Sequence, residues 1–229
     1  MIHKNKLICL LMLAAFSFLW VKPTQAAIHL PLTIEIFKAT ELSFISHRGE
    51  GPFDTTLAMN IPYEPIHQIR IQLSQTLGYQ LHFFTLWNLD GEAHVTVITP
   101  VEYDQVIKPY LSMERIEQIS QKMKIQNSDL KILGLGRGQA IVNSEPQETF
   151  FIIIRSVNLL NIRNQIYQEY LNHGGPAEAW DPNHFYPHIT VGFSLTDLHE
   201  SQGVLKDVRH SLDRRFRIDL VRRQNPHLL

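Results

Sequence analysis

Two short segments of the chain alternate polar and apolar residues in the same way, and they restrict the folds available to it. The first is His94-Val95-Thr96-Val97 and the second, 94 residues later, is His188-Ile189-Thr190-Val191. Side chains of a β-strand point alternately to its two faces. Each segment therefore predicts a strand with a histidine and a threonine on one face and apolar residues on the other. Together they predict the two halves of one site.

The rest of the chain mixes helical and strand periods. Of the 229 residues, 44% are hydrophobic and 19% are charged, as in folded globular proteins. Strands are predicted at residues 27–42 (or an extended arm there), 79–87, 93–99, 129–142 with a break at 134–138, 148–157, 187–193 and 215–221. Helices are predicted at 65–77, 101–111, 113–125 and 159–171, a loop at 43–62, a hairpin turn at 143–147, and a helical or irregular segment at 196–213. Because the two element types do not alternate strictly, the pattern favours an α+β fold over a doubly wound sheet.

The N-terminal segment has the pattern of a secretory signal peptide. Lys4 and Lys6 precede an apolar run from Leu7 to Val21, and a polar stretch ends at Ala26. The alternative is a retained membrane anchor, but the run is short for a span of about 20 residues. The expected mature protein is one domain, residues 27–229, exported to the periplasm or secreted.

Charge and cysteine content exclude several classes of function. Removing residues 1–26 takes away three of the 21 basic residues and none of the 22 acidic ones, which leaves a formal net charge of −4. Such a charge gives no electrostatic basis for binding long nucleic acids. The single cysteine, Cys9, lies in the segment expected to be removed, so disulfides and thiol catalysis are excluded for the mature chain.

Paired histidines suit displacement at phosphorus. One imidazole removes a proton from the attacking oxygen and the other protonates the leaving oxygen, because the pKa of histidine lies near neutrality. A threonine hydroxyl on the same strand face donates a hydrogen bond to a phosphate oxygen. The chemistry needs no metal, and the sequence does not assign which histidine is the base. The alternative is that both strands are half-buried and carry His and Thr without function.

These residues resemble the two-histidine (2H) phosphoesterase superfamily, which is defined by two His-x-Thr/Ser motifs. The surroundings, Phe185–Phe193 followed by Leu195–His199 and His94–Pro100 followed by Tyr103 and Asp104, are similar to its RNA-repair-like ("Swiss army knife") branch. The resemblance spans roughly residues 80–205 and leaves residues 27–78 unexplained. It implies a pseudo-symmetric, two-lobed fold with antiparallel sheets and flanking helices around a central cleft.

The resemblance also implies a site and a substrate class. His94 and His188 are the expected catalytic residues, and Thr96 and Thr190 are the expected phosphate ligands, with no cofactor. Members act on 2′,3′-cyclic phosphates, 2′–5′ linkages or ADP-ribose cyclic phosphate. The expected partner is a small nucleotide or oligonucleotide, with no long nucleic acid and no membrane contact after signal cleavage. The protein is expected to be a monomer.

Two further residues are candidates for substrate contact. Arg137, within the glycine-rich stretch 134–138, is placed to approach a phosphate unless that stretch is a plain turn or bulge. Tyr186 is predicted to stack on a base, with its neighbour Phe185 in the core. His184 and His188 have the spacing of a helical metal pair, but Pro187 opposes a helix there, so no metal site is expected.

Two other functions compete with the phosphoesterase. One is a binding module of the cell envelope that holds a nucleotide or phosphorylated ligand without turnover. The other is a metal-dependent hydrolase or a purely structural envelope protein.

Overall fold

The structure, a computed structural model, describes residues 26–51, 54–84 and 92–222. Its strands are β1 (Ile28–Thr33), β2 (Leu57–Pro62), β3 (Glu92–Ile98), β4 (Lys131–Val142), β5 (Glu145–Arg155), β6 (His188–Phe193) and β7 (Phe216–Val221). Its α-helices are α1 (Tyr63–Leu77), α2 (Pro100–Glu102), α3 (Met113–Lys122), α4 (Val157–Asn172) and α5 (Val208–Ser211). Shorter 3-10 turns occur at Ile34–Glu41, Ile125–Asn127, Ala177–Ala179 and Glu200–Gln202, and a π turn at Tyr103–Ile107.

A five-stranded antiparallel sheet forms the centre of the molecule. Its strand order is β2-β3-β6-β5-β4, so the two His-x-Thr strands are neighbours in the middle. Strands β1 and β7 pair in parallel as a separate two-stranded sheet. The prediction of an α+β fold is confirmed in this mostly antiparallel form.

The main core lies on the face of the large sheet that the helices cover. Val95 of β3 and Ile189 of β6 are buried there with Ile66 of α1 and Ile162 of α4, in one apolar cluster. Burying each such side chain contributes about 1.5–3 kcal/mol. Across the parts of the chain that the structure describes, no helix has both the length and the hydropathy to cross a bilayer.

The opposite face of the sheet carries a smaller apolar cluster instead of helices. Phe151 and Ile153 of β5 pack there against Leu198 and Val204 from the segment that follows β6. Close contact is possible because the facing positions of β4 are glycines. A Cβ added at Gly136 or Gly138 would overlap the Phe151 ring or the Val204 side chain. The glycine-rich stretch, predicted as a break, is therefore part of an uninterrupted strand with a bulge.

Several predicted boundaries are corrected. The predicted loop at 43–62 contains β2, whose residues from Leu57 to Ile61 are all buried and so show no alternation. The predicted strand at 79–87 is wrong within 79–84, where a single bridge joins His82 to Phe193; residues 85–87 lie outside the described ranges. In place of the helix predicted at 101–111, the structure has α2 followed by the π turn at Tyr103–Ile107. The first strand, predicted at 27–42, is only Ile28–Thr33.

Other local predictions are confirmed. Helix α1 ends at Gly78, whose φ of 77° is the left-handed conformation that glycine favours. The β4–β5 hairpin forms as predicted, with Asn143 and Ser144 both at positive φ (53° and 66°) in its two-residue turn.

Arg163 of α4 connects the ends of both His-x-Thr strands. Its guanidinium donates to the Val97 carbonyl of β3 at 2.7 Å and to the Pro182 carbonyl before β6 at 2.8 Å. It also pairs with Glu102, which accepts a further bond from the Trp180 indole. Burial alone raises the pKa of Glu102, but the hydrogen bond and charge of Arg163 outweigh burial and hold that pKa below its ordinary value.

Replacing Arg163 should destabilise the fold strongly. Arg163→Met leaves Glu102 without its cation and removes the Arg163 donor from four backbone carbonyls, so we expect a loss of about 3–5 kcal/mol in the free energy of unfolding. Arg115→Met is the matched control, because the Arg115 side chain is 50% exposed in its pair with Glu169 and should change stability by less than about 1 kcal/mol. Urea unfolding followed by circular dichroism measures both, and equal losses would contradict the role given to Arg163.

Candidate functional site

The two His-x-Thr motifs face each other across the centre of the sheet. Val95 of β3 lies directly opposite Ile189 of β6 in an antiparallel pair. Because both point into the helix-covered core, the residues on either side of them point to the other face. Extending the register by one residue in each direction sets two pairs opposite each other: His94 with Thr190, and Thr96 with His188.

These pairs belong to two rows that run across the sheet. In the first row, Asn60 of β2 lies beside His94, and Phe151 of β5 lies beside Thr190. In the second row, Ala58 of β2 lies beside Thr96, and Ile153 of β5 lies beside His188. His94 and Thr190 thus occupy the middle of the first row, and Thr96 and His188 occupy the middle of the second.

His188 is held in one orientation and one tautomer. Its Nδ1 lies 2.7 Å from the Tyr186 carbonyl, which can only accept, so Nδ1 carries the proton and Nε2 the lone pair. The Phe151 ring meets the imidazole edge-on, with the centroids 5.6 Å apart. Burial and then the charge of Lys206 lower the pKa of His188 to about 3. The ring is therefore neutral at physiological pH.

A buried ion pair lies next to His188 on the same side of the sheet. Lys206 donates to both carboxylate oxygens of Asp197, at 2.9 and 3.0 Å. Asp197 also accepts from Thr149 at 2.5 Å and from Thr190 at 3.3 Å. Burial opposes the charged form, but Lys206 holds the pKa of Asp197 below its usual value. The single proton of the Thr190 hydroxyl therefore points to Asp197 rather than outward.

The surroundings of His94 are different. The Phe84 ring stacks beside it at a centroid distance of 6.2 Å, and a third histidine, His47, lies 5.7 Å away. His47 Nε2 is 3.2 Å from the side-chain oxygen of Asn60, whose amide nitrogen donates to the Ser43 carbonyl. That second bond fixes the Asn60 amide, so His47 Nε2 is the donor. No motif around residue 47 indicates this position in the sequence.

The two predicted substrate-contact residues lie in different places. Tyr186 lies at the end of β6 nearest His188, half-buried, with its ring edge 5.0 Å from that of His184, while Phe185 packs against the main core. Arg137 lies opposite Phe150, a residue of the helix-covered core, and pairs with Glu148. Arg137 is thus on the other face of the sheet from the two histidines, which does not fit the predicted phosphate contact.

Within the described ranges, no three or more His, Cys, Asp or Glu side chains are grouped so that they could hold a metal ion. His184 instead lies within hydrogen-bond distance of Glu200, at 2.9 Å, and is separated from His188 by extended chain.

Comparisons with known proteins identify the family. A search of curated proteins and a search of solved structures found no match. The family model described as "Swiss Army Knife, 2H phosphoesterase domain" matches residues 55–199, well over half of the 229 residues. The match contains both His-x-Thr strands and also β2 and α1, whereas His47 and Lys206 lie outside it. The resemblance predicted from the two motifs is confirmed: the chain belongs to the 2H phosphoesterase superfamily, in its Swiss Army Knife branch.

Proposed function

We propose that this protein is a metal-independent phosphoesterase that hydrolyses a cyclic phosphate or a 2′–5′ linkage of a nucleotide or RNA end. The observation that carries the proposal is the pairing of β3 with β6, which sets each histidine opposite the threonine of the other motif on one sheet face. Family membership supports phosphoester hydrolysis in general, and the paired histidines support acid-base catalysis in particular.

In this mechanism His188 acts as the base and His94 as the acid for hydrolysis. His188 has a neutral ring whose Nδ1–H donates to the Tyr186 carbonyl, so its Nε2 lone pair takes a proton from water. The water oxygen bonds to phosphorus as the bond from phosphorus to the leaving ribose oxygen breaks. His94 delivers its proton to that oxygen. The roles exchange in the reverse direction.

The hydroxyl groups hold the phosphate during the reaction. Thr96 donates to one non-bridging oxygen, and Thr190 contacts another after its hydroxyl turns away from Asp197. Tyr186, at the rim beside His188, stacks on a base of the substrate. We place the substrate in the central cleft between two lobes that the family resemblance implies.

The setting of the reaction is also proposed. Residues 1–26 act as a signal peptide, and the mature chain works outside the cytoplasm as a monomer without membrane contact. Its net charge of −4 after cleavage favours a small nucleotide or oligonucleotide over a long polymer.

The second candidate is a binding module that holds a nucleotide or phosphorylated ligand without turnover. One observation favours it: the Thr190 proton is directed to Asp197 and not to the ligand side. Tight binding of a cyclic nucleotide with no product by phosphorus NMR would support this candidate.

Removing either histidine should abolish catalysis. We expect His94→Ala and His188→Ala each to lower kcat for a 2′,3′-cyclic nucleotide by about 10²–10⁴-fold, because each loses one proton transfer. EDTA should not change the rate. His173→Ala, an exposed histidine at the end of α4, should keep wild-type activity. Activity that survives either substitution, or that chelation removes, would contradict the mechanism.

The pH dependence provides an independent measurement. A base works when it is unprotonated, and the pKa of His188 in the free enzyme is lowered to about 3. We therefore expect no loss of kcat/KM from protonation of His188 between about pH 7 and pH 5, since kcat/KM reports groups of the free enzyme. A fall in kcat/KM with a midpoint near 6.5 that disappears in His188→Gln would contradict the lowered pKa of His188.

A further inference from the structure

The Asp197–Lys206 ion pair is buried, and stabilisation of the fold alone does not explain its position. The two charged groups are 5% and 4% exposed, between the sheet and the apolar side chains of Leu198 and Val204. Removing an ion from water costs several kcal/mol, and apolar residues of similar volume often replace such a pair without loss of stability. Its neighbours include the apolar cluster of Phe151, Leu198 and Val204 as well as the Thr149 and Thr190 hydroxyls. The pair therefore points to a role in the site beside it.

Asp197 connects three parts of that site. Its carboxylate accepts from Thr149 on β5, from Thr190 on β6 and from Lys206 on the segment that follows β6. One oxygen binds Thr149 and the other binds Thr190, so the carboxylate plane is fixed by both strands. This arrangement sets the direction of the Thr190 hydroxyl opposite His94.

Lys206 is the member of the pair that acts on His188. Its ammonium lies 5.3 Å from the centroid of the Phe151 ring, and the same ring meets the His188 imidazole edge-on. The positive charge of Lys206 affects His188 more than the negative charge of Asp197 does. The Phe151 ring is the side chain that both Lys206 and His188 contact.

We propose, on the basis of the proposed function, that Asp197 and Lys206 are a positioning pair for the half of the site that contains His188 and Thr190. Asp197 holds the Thr190 side chain opposite His94 until substrate binds, and Lys206 acts together with burial to favour the neutral imidazole of His188.

The other groups around His188 are consistent with this role. His199, from the segment after β6, also disfavours the imidazolium, while Asp197 and the Tyr186 carbonyl favour it. The neighbours on the adjacent strands are Thr96 on β3 and Ile153 on β5, and neither carries a charge. Of the charged side chains that face the imidazole, Lys206 has the largest effect on its proton affinity.

The test is a direct titration of the His188 ring by ¹⁵N NMR, which does not depend on turnover. The double variant Asp197→Asn/Lys206→Met removes both charges, keeps one of the two side-chain oxygens that accept from Thr149 and Thr190, and leaves no buried ion unpaired. We expect its His188 midpoint to rise by about 1 pH unit or more toward the ordinary value of about 6.5. Lys206→Arg, which keeps the charge, should retain a low midpoint. Arg115→Met/Glu169→Gln, which removes an exposed pair on other helices, should leave the midpoint unchanged.

Kinetics separate positioning from a merely structural effect. Relative to wild type, the double variant should lose at least about threefold more kcat/KM at about pH 5 than at about pH 8, where the His188 ring is neutral in both proteins. The part of the loss that is equal at the two pH values reports the altered contact with Thr190. An unchanged midpoint in the double variant, or an equal loss at both pH values, overturns the proposal. If the double variant does not fold, the titration of His188 in the wild-type protein is the test, and a midpoint near pH 6.5 overturns the proposal. A midpoint that moves in a protein with no turnover of any cyclic phosphate supports the action of the pair on His188 and refutes the proposed function.

Discussion

The alignment of the candidate site depends on the pairing of Val95 with Ile189. These two side chains are fully buried under the helices, and each contributes about 1.5–3 kcal/mol of burial free energy. A slip of β6 by one residue would send Ile189 to the opposite face and His188 into the core. Apolar packing on one face therefore fixes which side chains of each strand point to the other face, and the backbone pairing of Val95 with Ile189 fixes which of them meet. Arg163 reinforces the same register by binding the backbone near both strands.

The two halves of the site are equivalent in sequence but not in surroundings. The Phe84 and His47 rings lie beside His94, whereas a buried ammonium and carboxylate lie on the side of the sheet that His188 occupies. The duplicated motif supplies matching functional groups, and the residues around the two histidines differ.

The strand faces and the family could be predicted because they depend on local periodicity. The same reasoning gave the end of α1 at Gly78 and the β4–β5 hairpin. Strand β2 was missed because burial on both faces removes the alternation on which the prediction relies. His47 and Lys206 were missed because only the path of the chain in space brings them to the site. The position of Arg137 was predicted wrongly because the glycines on either side of it have no side chain that indicates which face of the strand they occupy.

The parallel pairing of β1 with β7 has a consequence for how the chain is assembled. All strands of the large sheet are present once the chain reaches Phe193, but Ile28 pairs with Phe216, 188 residues later. When the chain is synthesised from its N-terminus, β1 therefore stays without its partner until β7, the last of the described strands, has been made. Leu30 and Leu32, which are buried in the finished molecule, remain without their β7 neighbours during that interval. The β1–β7 pair thus cannot form until Phe216 has been synthesised, after the site strands are complete.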